Sequence, residues 1–160
     1  MGNNDENEII DLDLSVTRKK RFRINGDNNC ILELNTSDLN VITRLEEKYG
    51  QLKSLENEVL DLQTTETDES EDILETVATK LKSIDTQMRE CVDYIFDADV
   101  SEKCAGNGSM YDPFNGKYRC EHIIDSILAL YENNLKSEAD KLKKRVETRT
   151  AKYTKKKVSK

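Results

Sequence analysis

The sequence has no tryptophan, one proline, one histidine and three phenylalanines in 160 residues, and 36% of it is hydrophobic against 36% charged. Apolar material is too sparse for one thick core at this length, so an elongated molecule built from amphipathic helices is expected. No run approaches the 18 or so consecutive apolar residues that a membrane helix needs. The opening MGNNDENEIIDLDL is polar and acidic, the reverse of a secretory signal, which predicts a protein kept in a cytoplasm with no membrane partner. Glu6 stands where a myristoylation signal needs Ser or Thr, so Gly2 is read as incidental. Cys30, Cys91, Cys104 and Cys120 never form C-x-x-C and read as reduced thiols serving as small apolar groups.

Charge is segregated along the chain. From Lys136 to Lys160 there are eleven Lys/Arg against three Asp/Glu, a balance of +8, and since the whole chain carries −7 the first 135 residues carry −15. From Ser54 to Thr79 there are nine acidic residues and no basic one. Such blocks of one sign are information about partners.

The stretch KKRFRINGDNNCILELN alternates as a β-hairpin does. Phe22 and Ile24 point one way and Arg21 and Arg23 the other, while Asn-Gly supplies a tight turn. Cys30, Leu32 and Leu34 then share the buried face with Phe22 and Ile24, with Ile31 and Glu33 opposite. A lone hairpin is marginal in water and must pack on a helix or pair with another chain. A helix follows, capped by Thr36, Ser37 or Asp38, with Ile42, Leu45, Tyr49, Leu52, Leu55, Val59 and Leu62 on one face.

These two elements make a first unit, residues 1–62, and residues 63–72 read as an acidic linker. The unit 73–150 is expected to be a helical hairpin with a glycine-containing loop at 97–119, followed by a basic tail, 151–160. Leu74, Val77, Leu81, Ile84, Met88, Cys91 and Ile95 form a three-four seam about 32 Å long, widened by Val92 and Phe96. Leu74, Leu81 and Ile84 are expected to pack on the terminal helix inside one domain. That helix starts near Glu121 and places Ile124, Ile127, Leu128, Tyr131, Leu135, Leu142 and Val146 on one side, then thins into a basic arm. The fold class is therefore mainly α, with a small N-terminal β-hairpin and a basic C-terminal helical arm.

Motifs for chemistry are weak. Cys91, Cys104, Cys120 and His122 are spaced C-x12-C-x15-C-x-H, unlike the paired ligands two to four residues apart of zinc knuckles, so no metal site is assigned. GNGSMYDP lacks the Gly-Lys-Ser/Thr ending of a phosphate loop, and Gly106, Gly108 and DPFNG read as backbone corners packed down by Tyr111, Phe114 and Tyr118. No catalytic constellation and no cofactor site emerges, which predicts a non-enzyme. Lys141, Lys143, Lys144, Arg145, Arg149, Lys152 and Lys155 to Lys157 can meet phosphates or an acidic protein surface, including the TETDESED segment of a second copy. The lack of aromatic interleaving favours protein over nucleic acid.

The segments KKRFRINGD, ILELN, SDLNVITRLEEKY and VDYIFDADVSEKCAGNGSMYDP before a terminal helix resemble the small tail assembly chaperones of long-tailed phages and prophages of Gram-positive bacteria. Val92, Asp93, Ile95, Phe96, Asp99, Glu102 and Lys103 match that family's pattern. Asp97 stands where glycine is common, and Cys104 to Pro113 departs from the family loop. The resemblance implies a non-enzymatic cytoplasmic protein that binds tape measure and tail tube proteins and can self-associate. It also implies a longer frameshifted product, for which the Lys155 to Lys157 run marks a candidate slippery stretch. Partner contacts are then expected at Phe22, Ile24, Leu81, Ile84, Met88, Ile95, Phe96, Lys141, Lys144, Arg145 and Arg149. The alternative is a phage-encoded regulator or inhibitor that binds a host protein or nucleic acid through the basic arm.

Overall fold

The computed structural model describes residues 7–14, 19–64 and 71–158, with Glu71, Tyr153 and residues 155–158 described by backbone alone. The elements run β1 (Lys20–Ile24), β2 (Asp27–Leu34), α1 (Asn40–Thr64), α2 (Glu71–Phe96), α3 (Val100–Ala105), β3 (Pro113–Phe114), β4 (Lys117–Tyr118) and α4 (Arg119–Val158). The protein is mainly α with a small antiparallel hairpin at its N-terminal side. Among the described residues no helix is long and apolar enough to cross a membrane.

The hairpin forms as its alternation predicts. Asn25 and Gly26 both take positive φ, 53° and 71°, the backbone that a two-residue turn between right-twisted strands requires. Phe22 pairs with Leu32 and Arg21 with Glu33, and the register slips once, between Arg23 and Ile24. Leu32 and Leu34 are buried and Phe22 and Ile24 pack against the core from its margin, while Arg21 and Arg23 stay exposed.

Asp38 caps α1: its carboxylate accepts the Asn40 N–H at 2.9 Å and an Arg44 N–H at 2.7 Å. Burial pushes this carboxyl upward, but the hydrogen bonds from Arg44 and Asn40 and the Arg44 charge outweigh it and hold it below the usual value. Arg44 also donates to the Ile95 carbonyl at 2.8 Å, placing a cation at the end of α2, whose last turn has no basic residue of its own.

The core joins Leu52, Leu55 and Val59 of α1 to Ile84, Met88, Cys91, Val92, Ile95 and Phe96 of α2 and to Ile123, Ile124, Ile127 and Tyr131 of α4. The α2 seam is thus closed by α1 as well as by the terminal helix. Burial as deep as that of Ile84 does not extend to the start of α2: Leu81 is half-buried and Leu74 is 57% exposed. On α1 the face is turned by one residue at its start, so that Val41 is buried while Ile42 and Tyr49 are exposed. The start of α4 meets the end of α1, where Tyr118 donates to Gln63 at 2.9 Å. Asn134 donates to the Thr36 carbonyl at 3.1 Å and accepts from Lys20 at 2.6 Å at the other end, so α4 runs antiparallel to α1.

The expected linker, 63–72, is narrower than its composition suggested: α1 continues to Thr64 and α2 begins at Glu71, and residues 65–70 lie outside the described residues. The expected loop, 97–119, contains α3 and the short β3–β4 hairpin. Likewise α4 continues as helix through Val158 into the segment read as a tail.

Candidate functional site

The junction between α2 and α3 is a structural corner. Asp97 takes φ 48°, and its N–H and that of Ala98 return to the carbonyls of Tyr94 and Asp93, closing α2. The Asp93 carboxylate accepts both the N–H and the hydroxyl of Ser101, each at 2.7 Å, and so caps α3 from the neighbouring helix. The loop beyond is fastened to α2 by a pair one turn apart. Arg89 donates to Asp85 at 2.8 Å, to the Gly106 carbonyl at 3.0 Å and to the Gly108 carbonyl, while the second Asp85 oxygen accepts the Met110 N–H at 2.8 Å.

Gly108 sits at a close approach to the end of the Arg119 side chain. A Cβ there would lie 1.6 Å from the Arg119 Nη1, and Arg119 is itself held by Asp112 at 3.1 Å. Tyr111 and Tyr118 pack the loop against the core, but Phe114 is 67% exposed, contrary to expectation, with its carbonyl 2.6 Å from the His122 Nε2.

The thiols do not converge on a metal. Cys91 and Cys120 are buried, Cys104 lies beside Cys30, and among the described residues no group of three or more His, Cys, Asp or Glu side chains is arranged to hold a metal ion. Burial pushes the Cys104 thiol up to about 11 and Cys120 to about 12, so at neutral pH both are protonated and poor nucleophiles.

The residues expected to meet partners separate into two groups. Ile84, Met88, Ile95 and Phe96 are at most 2% exposed and form the centre of the body, which removes them from the surface. Leu81, Phe22 and Ile24 are half-buried at its edge. Lys141, Lys144, Arg145 and Arg149 are exposed on α4, where every side chain described from Ala139 onward is exposed. This part of α4 projects about 30 Å as a continuous helix. Leu142 and Val146, 59% and 61% exposed, form an uncovered apolar strip between its basic residues.

A second surface was not anticipated. Between α1 and α4 lies a groove of about 310 Å³ lined by Leu45, Tyr49, Leu52, Glu56, Glu121 and Leu128 among others. Glu56 is pushed up to about 7, first by burial and then by the neighbouring Glu121. The two glutamates come from different helices, and the only local signal for Glu56 is its place beside Leu55 at the margin of the apolar face.

Compared with known proteins, the chain matches no family model, no curated protein and no solved structure.

Proposed function

We propose that this protein is a non-enzymatic tail assembly chaperone of a long-tailed phage or prophage, acting in the bacterial cytoplasm on tape measure and tail tube proteins. The observation that carries the reading is the projecting half of α4, which leaves Leu142 and Val146 uncovered between exposed basic residues. An amphipathic helix without a partner of its own is suited to lie against a helical client. The specific client class rests on the resemblance of Val92 to Lys103, whose residues here shape the α2–α3 corner. Client contact is therefore assigned to the α4 arm and the hairpin margin at Phe22 and Ile24 instead of the buried seam.

The second reading, a regulator that takes nucleic acid on the same arm, is favoured by the +8 balance of Lys136 to Lys160. The two differ in salt response, because phosphate contacts lose orders of magnitude in affinity over a modest rise in salt. Affinity purification of the tagged protein from phage-producing cells, at low and high salt, tests them together. Recovery of tape measure or tail tube protein at both salts supports the chaperone. Recovery of nucleic acid or a host protein that is lost at high salt overturns it.

A further inference from the structure

Residues 7–14, NEIIDLDL, are the most apolar exposed stretch outside the helices among the described residues. Ile9, Ile10, Leu12 and Leu14 are 90%, 76%, 79% and 75% exposed, and the segment belongs to neither sheet. Ile10, Leu12 and Leu14 alternate with Asp11 and Asp13, the pattern of a strand with one apolar face and one acidic face. Four large apolar side chains left in water are the mark of a surface that another protein covers.

The β1–β2 sheet has only two strands, so among the described residues β1 pairs with β2 alone and its other edge has no ladder partner. Such an edge is a template for an added strand. On β1 the alternation is the same in outline and opposite in charge: Phe22 and Ile24 lie on the core face, Arg21 and Arg23 on the exposed face. We infer that the outer edge of β1 is a docking site for residues 7–14 of a second copy of this chain, added as a third strand.

Residues opposite one another in a ladder share a face. With Leu12 opposite Phe22, Ile10 and Leu14 extend the apolar face of the hairpin, and Asp11 and Asp13 fall opposite Arg21 and Arg23 whether the added strand is parallel or antiparallel. A register one residue away would set acids against Phe22 and apolar groups among arginines, so the charge pattern and the apolar pattern select the same alignment. The segment and the edge belong to every copy, and exchange between two copies gives a closed dimer with both edges covered. The inference does not rest on the client proposed for the α4 arm, but the added strand lies beside Phe22 and Ile24, so it and a client compete for the hairpin margin.

Sedimentation equilibrium of the full chain over a wide concentration range tests it, with three variants confined to exposed or marginal positions. Leu12→Glu is expected to weaken association by about tenfold or more, because it returns a charged group to a site that buries leucine. The pair Asp11→Lys with Asp13→Lys, and separately Arg21→Glu with Arg23→Glu, are each expected to weaken self-association by about tenfold. An equimolar mixture of these two charge-reversed proteins is expected to associate again, as a heterodimer in which every strand meets an edge of opposite charge. A monomeric wild type at all concentrations overturns the inference, as does association that Leu12→Glu leaves unchanged. A mixture that fails to recover also overturns it, since pairing of the segment with its own hairpin is not restored by mixing.

Discussion

Replacing Arg89 with Met removes the group that ties the loop from Gly106 to Met110 onto α2. The side chain is 23% exposed and its Asp85 partner 24%, so the contacts are sheltered without being dry. Arg89→Met deletes the ion pair with Asp85 and the two charge-assisted bonds to the Gly106 and Gly108 carbonyls. A hydrogen bond to a charged group contributes about 1.5–3 kcal/mol, and water can replace part of each at this exposure, so the expected loss is about 3 kcal/mol. At this chain length that lowers Tm by roughly 6–12 °C. Asp85→Asn keeps an acceptor for the Met110 N–H and loses only the charge, so it is expected to cost about half as much. Urea denaturation followed by circular dichroism, with the double variant completing a cycle, gives the coupling between the two residues, expected at about 1 kcal/mol or more. An Arg89→Met protein within about 0.5 kcal/mol of wild type would refute the reasoning and assign the loop's position to the packing of Met110 and Tyr111.

Gly108→Ala is expected to destabilise by about 1 kcal/mol or less by displacing the partly exposed Arg119 guanidinium from Asp112, read as a small fall in urea midpoint with an unchanged slope. Glu56 holds its proton more tightly folded, about 7, than at its ordinary 4.5. Its contribution to stability is therefore full below pH about 4.5, falls as pH rises towards 7 and is flat above, and Glu56→Gln should remove this slope and stabilise the protein at pH 8 by on the order of 1 kcal/mol after solvent screening. Tyr131→Ala, at 1% exposure against Phe96, should cost about 3–5 kcal/mol in the same denaturation assay. Leu142→Ser together with Val146→Ser should leave stability within about 0.5 kcal/mol of wild type while reducing recovery of tail proteins in the capture experiment.

The hairpin was legible because its signals are local: Asn-Gly demands one kind of turn, and alternation then assigns each side chain to a face. The apolar rows of α2 and α4 were legible for the same reason, and the α1 cap was narrowed to Thr36, Ser37 or Asp38, of which the structure uses Asp38. What three-four spacing leaves open is which of two adjacent apolar residues turns inward. Val41 took the place expected of Ile42, and Leu74, although in phase with Ile84, lies where α2 outruns its cover. The region 97–119 was least legible. Six residues of α3 are too few to show a period, and its cap and the loop's anchors come from Asp93, Asp85 and Arg89 on another helix. The Glu56–Glu121 groove has the same origin, since side chains from two helices define it and neither helix alone signals it.

Asn134 sits where the embedded half of α4 gives way to the free half, bonded to Thr36, Ser37 and Lys20 at once. Because the backbone passes that point without a break, the helix acts as a lever with its fulcrum at Asn134. Load that reaches the root of the arm passes to the turn between β2 and α1 through Asn134, and to Phe96 through Tyr131. A partner that grips the arm thereby also loads the hairpin, at a distance of about 30 Å from its own contact.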